Sequence, residues 1–371
     1  MTSAVISYRP SLAGTLALVF CAILGFFFLD TFLARTERAE SRVEAQRDYE
    51  RGQRLLEQGR ADRAAEEFRS AIVLARDNAQ YPLALAQALM AAGRLPDAEA
   101  SLADLLARDG TAGPPNLAMA RVLAREGRIE EALSYYHRAI YGQWKQDAIG
   151  NRVQVRFELI DLLIARNQTR GLLAELLPLQ EEAPGDAATR KKLAGLFISA
   201  GSPVRGAELF REIVKESPRD PDAYAGLGDA EFARGNYRTA LGYYQTALGL
   251  RPSDDHARRR AEVCIQVLAL DPTQRGLSTA EQFTRSTKLL DLERNAVLPC
   301  LGAASGELSD LIQSTEKNLK QRVPVARQGP AMEANLDLAG KLWNARPQNC
   351  ATAPQNAGEE AVPLVLERLE Q

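Results

Sequence analysis

Apolar residues are unevenly distributed along this chain. From Leu12 to Leu29 the sequence LAGTLALVFCAILGFFFL runs for eighteen residues without a charge. As a helix it would span about 27 Å, close to the hydrocarbon thickness of a bilayer. Beyond Asp30 the apolar character continues through Phe32, Leu33 and Ala34. The pattern predicts a tail over 1–11 and a transmembrane anchor helix over 12–34. A cleaved signal peptide fits less well. Its leading region would hold only Arg9, and cleavage after Ala34 would put Phe32 where a small residue is wanted. A lipoprotein signal wants a small residue before its cysteine, and Cys21 follows Phe20.

Past the apolar run the pattern becomes periodic, with apolar positions at helical spacing. Gly59, Gly93 and Gly127 are thirty-four residues apart. Ala64, Ala98 and Ala132 keep the same step, as do Phe68, Leu102 and Tyr136. The register then slips by six residues over 147–152 and resumes. Asn167, Gly201 and Gly235 continue the turn column, and Leu176, Phe210 and Tyr244 the bulky one. Pro184, Pro218 and Pro252 close the last three units. This divides the chain into six helical hairpins over 45–254, namely 45–78, 79–112, 113–146, 153–186, 187–220 and 221–254.

Each column has a physical role. Glycine permits the positive φ that ends the first helix of a pair. The small residue of the second helix lets two backbones approach, and the bulky one four residues later fills the gap on the same face. Proline stops the second helix. In the last unit Asp220 can cap the incoming helix, with Pro221 at its first position.

The sixth unit carries Tyr224, Leu227, Gly228, Gly235, Ala240, Tyr244, Ala247 and Pro252 in step, and with them the chain resembles the tetratricopeptide repeat family. The fourth unit departs from the pattern, since Leu172 stands where a small residue is expected. The resemblance implies an all-α fold, a right-handed superhelix of stacked hairpins. It also implies protein binding on the concave face lined by the first helices. Placed on that face are Tyr49, Gln53, Gln87, Met90, Arg121, Phe157, Asp161, Lys191, Asp229 and Phe232. They make a mixed groove of apolar positions and isolated polar anchors, suited to an extended or helical segment of a protein partner. The lysine, asparagine and arginine cluster with which relatives grip a chaperone's C-terminal carboxylate is absent.

After the repeats a capping helix is expected over 255–272. A C-terminal helical region follows over 273–371, with helices at 277–299, 307–322, 330–345 and 359–370. Ser278 and Glu281 have the spacing of a capping box.

Composition narrows the chemistry. Forty-six basic and 48 acidic residues nearly cancel, which leaves no electrostatic footprint for nucleic acid. The two histidines, His137 and His256, fall on a repeat helix and at the start of the cap, and no nucleotide loop or nucleophile elbow is present. No catalytic residue, metal site or cofactor is expected. Cys300 and Cys350 both follow helix ends and could form a disulfide in an oxidising compartment; two separate thiols are the alternative.

The leading expectation is a membrane-anchored scaffold or assembly platform. The alternatives are a structural single-span subunit of a larger membrane complex and, with least support, an enzyme in the C-terminal region. Arginine outnumbers lysine 38 to 8, as in GC-rich bacterial genomes, so a bacterial inner membrane is expected. Arg35, Arg38, Arg42 and Arg47 after the span favour a cytoplasmic body. Large domains often cross despite such charge, and the expectation leans to the periplasmic side.

Overall fold

The computed structural model describes residues 12–168, 171–298, 306–345 and 357–369. Every regular element among them is helical, apart from one isolated bridge between Ala112 and Gln143. The chain forms two compact units, divided between Ala165 and Arg166.

The first unit holds α1 (Leu12–Glu57), α2 (Ala61–Leu74), α3 (Gln80–Ala91), α4 (Leu95–Arg108), α5 (Gly113–Glu126), α6 (Ile129–Ile140) and α7 (Ala148–Ala165). Helix α1 runs without interruption from the apolar segment into the first repeat, so no loop separates the two. Among the described residues no helix is long and apolar enough to cross a membrane. The side chains of residues 12–19, 21–23, 30 and 34 lie outside that description.

The second unit holds α8 (Leu172–Glu182), α9 (Ala187–Ser199), α10 (Pro203–Glu216), α11 (Pro221–Ala233), α12 (Tyr237–Leu250) and α13 (Asp255–Leu270). It continues through α14 (Thr279–Val297), α15 (Gly306–Leu319), α16 (Gln328–Ala345) and α17 (Ala357–Leu369). The boundary between the units thus falls between α7 and α8, the two helices assigned to the hairpin 153–186.

The sequence columns have direct structural counterparts. At the turn positions Gly59, Gly93, Gly127, Gly201 and Gly235 take φ of 73° to 80°, a conformation that crowds any Cβ. Asn167, in the same column, takes φ 55°. Helices α8, α10 and α12 each end two residues before a proline, as the loss of a donor requires.

Packing inside a hairpin rests on a repeated fit. The side chains of Ala64, Ala98, Ala132 and Ala240 are fully buried, and so are Phe68, Leu102 and Tyr244 one helical turn further on. The aromatic ring lies against a small residue of the first helix. A Cβ on Gly52 would stand 2.6 Å from the Phe68 ring, and one on Gly228 would stand 2.5 Å from that of Tyr244.

The six-residue slip lengthens α7 to 18 residues. Asp147 precedes it in a left-handed conformation, φ 42°, and its Oδ1 accepts from Gly150 N at 3.1 Å. The segment before it is pinned to the start of the third hairpin, where Gln143 N donates to Thr111 O at 2.8 Å and Gly113 N to Gln143 O at 2.9 Å.

The C-terminal helices do not stand apart from the repeats. One hydrophobic core runs from Ala225 and Tyr244 through Cys264 and Leu290 to Leu342 and Leu366, joining α11 and α12 to α13–α17. The C-terminal helix α17 lies against α13, held by Arg259 and Arg260, which donate to Glu360 at 3.2 and 3.1 Å. Arg368 on α17 pairs with the buried Asp271 at 2.9 Å. Asn335 of α16 is enclosed among these helices, donating to Ser286 and Thr287 of α14 at 3.1 and 3.0 Å and accepting from Asn318 of α15 at 2.7 Å.

Helix caps follow the sequence with one exception. Asp220 accepts from Ala223 N at 3.1 Å, with Pro221 opening α11. Ser278 accepts from Glu281 N at 3.2 Å, but the Glu281 carboxylate takes Arg285 at 2.7 Å, so the reciprocal half of that capping box does not form. A nearby guanidinium competes better for a carboxylate than a neutral backbone amide. Cys300 and Cys350 lie outside the described residues. Cys264 is a free, fully buried thiol, and burial pushes its pKa up to about 12, which keeps it neutral and unreactive.

Candidate functional site

In the first unit the face of the first helices carries Tyr49 and Gln53 on α1, Gln87 and Met90 on α3, Arg121 on α5, and Phe157 and Asp161 on α7. A cleft of about 230 Å³ lies between α3 and α5, lined by Gln87, Met90, Ala91, Ala118, Arg121 and Arg125. Three of the residues expected from sequence therefore meet at one place. The alanines keep the floor shallow enough to open a cleft, where larger side chains would fill it.

Arg121 is positioned by the next first helix. Its Nε and Nη2 donate to Glu158 Oε1 and Oε2 at 2.8 and 2.7 Å, a two-pronged contact. The Tyr136 hydroxyl donates to Glu158 Oε1 at 2.8 Å. Burial alone would raise the Glu158 carboxyl, but the Arg121 and Tyr136 hydrogen bonds outweigh it and hold it below the usual carboxylate range. Burial, and then the same carboxylate, drives the Tyr136 phenol well above its ordinary value. One turn along α5, Arg125 donates to Met90 O at 3.1 Å, a further donor to a carbonyl in the last turn of α3. The cleft thus presents an exposed Gln87 amide, a largely buried Met90 thioether and guanidinium edges fixed in place.

Elsewhere on this face the Tyr49 ring packs internally. Tyr49 lies between Phe68 and Tyr81, with ring centroids 5.7 and 5.2 Å away, and its hydroxyl accepts from Gln53 at 2.8 Å. Phe157 is half-buried and Asp161 exposed.

In the second unit the expected groove residues act as staples between helices. Lys191 pairs with Asp220 at 2.6 Å and Asp222 at 3.1 Å, and Arg251 links Asp222 to Asp254, both at 2.6 Å. Burial would lower the Lys191 amine, yet these two carboxylates raise it overall. Phe232 meets Tyr237 edge-on at 5.2 Å and carries the Arg260 guanidinium 4.5 Å above its ring. Asp229 Oδ1 accepts from the Tyr244 hydroxyl at 2.8 Å and lies 2.8 Å from His256 Nε2. Sequence reasoning put these residues on the right helices, but only their ion-pair partners, on the following helices, show that they are already occupied. Arg125 was overlooked, although its place four residues after Arg121 puts it on the same face of α5.

The His256–Asp229 contact makes stability depend on pH. The hydrogen bond to Asp229 raises the His256 pKa above its ordinary 6.5. A raised folded-state pKa means that the fold prefers the protonated ring. That contribution is full below about 6.5 and is lost as pH rises through the folded value. The difference in melting temperature between the native chain and His256→Gln is expected to be largest in mild acid and to shrink at alkaline pH. A difference that stays constant or grows as pH rises contradicts this sign. The side chain is half exposed, so the effect is small.

Among the described residues no group of three or more histidine, cysteine, aspartate or glutamate side chains could hold a metal ion. On the first-helix face Arg121 and Lys191 are held in ion pairs and Asp229 accepts from Tyr244, and the arrangement suits recognition by shape and hydrogen bonding.

Residues 49–116 and 191–255 match the family model of the tetratricopeptide repeat, and these stretches carry that repeat. They account for a little over a third of the chain. A comparison with curated proteins returns no match. Among solved structures, the chain is similar to YrrB, described as a tetratricopeptide protein with an unusual peptide-binding site. The two share 20% identity and a TM-score of 0.41 over 52% of this chain and 97% of that one. The C-terminal part of a repeat-containing protein from Cytophaga hutchinsonii aligns at 9% identity and TM-score 0.46, covering 64% and 92% of the two chains. Pseudomonas aeruginosa PilF aligns at 16% identity and TM-score 0.39, covering 60% and 96%.

Proposed function

We propose that this chain is a membrane-anchored scaffold that holds a segment of a partner protein on the first-helix face of its first unit, centred on the α3–α5 cleft. The observation that carries this reading is the meeting of Gln87, Met90 and Arg121 in one cleft. Lys191, Asp229 and Phe232 are engaged with neighbouring helices, which moves the expected contact toward the first unit. A partner segment would bury the Met90 side chain and the alanine floor while its backbone or polar side chains meet the Gln87 amide.

The anchoring half of the proposal is supported by α1. Phe26, Phe27 and Phe28 are 74%, 65% and 74% exposed, and Phe20, Leu29, Phe32 and Leu33 are exposed with them. Consecutive helical residues point about 100° apart, so three adjacent phenylalanines cover most of the circumference. A ring of apolar side chains around one helix suits lipid better than a single protein face. Full-length protein is expected to stay in the membrane pellet after alkaline carbonate extraction, and a chain lacking residues 1–34 to be released. Release of both would end the anchoring proposal. The periplasmic placement of the body belongs to the same proposal, and thiol labelling of intact against lysed cells tests it.

A photo-crosslinking residue tests the site. At Gln87 it is expected to join one defined partner, whereas at Glu66, exposed on the second helix α2, it should not. Equal crosslinking at the two positions, or none at Gln87, would remove the cleft as the binding site.

A further inference from the structure

A cavity of about 970 Å³ lies in the second unit. It is bounded by the turn between α11 and α12, the loop after α13, and helix α17. Four guanidinium groups line it, those of Arg234, Arg238, Arg275 and Arg368, against the single carboxylate of Glu367. The whole chain has a net charge of −2, so this is a local concentration of positive charge.

The four arginines divide into two pairs. Arg234 is held by the buried Glu231, with Nη1 2.9 and 3.1 Å from its two oxygens, and Arg368 by the buried Asp271 at 2.9 Å. These two are fixed in position and their charge is compensated. Arg238 donates only to the neutral amide oxygen of Gln274, at 3.0 Å, and Arg275 is exposed. Neither meets a carboxylate within ion-pair distance among the described residues. Two uncompensated guanidiniums therefore face a cavity whose other surface includes the apolar side chains of Phe232 and Leu364.

We propose that this cavity is a second binding site, for a short acidic peptide segment of a partner, with Arg238 and Arg275 receiving its carboxylates. The planar fork of a guanidinium matches a carboxylate in two-pronged fashion. The volume reaches the upper end of the range for small-ligand pockets and exceeds what one carboxylate would fill. A chain alternating acidic and apolar side chains uses both kinds of surface. Glu367 repels a doubly charged phosphate more strongly than carboxylates spaced along a peptide. The site does not depend on the cleft of the first unit, since no residue is shared.

The test is fluorescence anisotropy of a labelled Glu-Leu-Glu-Leu-Glu peptide with the full chain. Saturable binding that weakens with added salt is expected. The double variant Arg238→Gln, Arg275→Gln should weaken it about tenfold or more, as the loss of charge-assisted hydrogen bonds implies. Both positions are exposed, and circular dichroism of the variant checks that its helices persist. A Gln-Leu-Gln-Leu-Gln peptide should not bind. The proposal is overturned by absence of saturable binding or by equal affinity in the double variant. It is also overturned if inorganic phosphate or succinate displaces the peptide at concentrations comparable to its own.

Discussion

Replacing Tyr244 by alanine is expected to lower the stability of the second unit by about 3–5 kcal/mol, the usual cost of deleting a fully buried aromatic ring. Tyr244 is 0% exposed and fills the gap between α11 and α12, against the Gly228 backbone. Truncation leaves a void that two helices fastened by surrounding contacts cannot close. It also removes the hydroxyl that Asp229 accepts, leaving that carboxylate with His256 alone. Tyr244→Phe separates the two losses. It keeps the ring and gives up one hydrogen bond to a carboxylate that water can reach, so about 1 kcal/mol is expected. Urea unfolding followed by far-ultraviolet circular dichroism measures both. A Tyr244→Ala midpoint equal to that of Tyr244→Phe would mean that the ring does not hold the pair together.

The opposite change, adding a methyl group, gives the second large effect and an internal control. Within a helix, glycine to alanine ordinarily stabilises by about 0.5–1 kcal/mol. At Gly242, exposed on α12 with nothing within 4 Å of a built Cβ, that gain should appear in full. At Gly228 the same Cβ would lie 2.5 Å from Tyr244 Cε1, closer than real Cβ contacts come. The buried ring has no free space into which to turn, and overpacking of this kind costs about 1–3 kcal/mol, which outweighs the helical gain. Gly228→Ala is therefore expected to destabilise and Gly242→Ala to stabilise, in the same unfolding assay. Equal signs at the two positions would contradict the close approach of α11 and α12.

Both effects can be traced to positions the sequence marks. Gly228 and Tyr244 occupy the same places in their unit as Gly52 and Phe68 in the first, and the same fit recurs. A thirty-four-residue step repeats because each hairpin solves one packing problem in one way. The candidate site was less legible. The step puts Gln87, Met90 and Arg121 on one face, but it cannot tell a residue that lines a cleft from one that closes a joint. Lys191 looked like a free anchor and is bound by Asp220 and Asp222. Arg121 is held through Glu158, 37 positions further on, across the slip in register. Such partners depend on side-chain reach between successive helices, which no column of identical positions records.

The features legible along the chain are local: helix boundaries at glycine, asparagine and proline, the small and bulky pairing within each hairpin, and the place of the slip in register, whose outcome as a longer helix α7 came from the fold. These follow from backbone sterics and helical periodicity, which act over a few residues. Only the folded chain shows that α14–α17 join the core of the sixth hairpin and its capping helix α13, with α17 returning to lie on α13. It also decided where the arginines gather around a cavity. Arg238 and Arg275 meet where α12 faces the loop after α13, and Arg368, far along the chain, joins them because α17 packs on α13 through its buried residues and its pairs with Asp271 and Glu360. Non-local contact of this kind leaves no period to read, since no repeat unit recurs beyond residue 272.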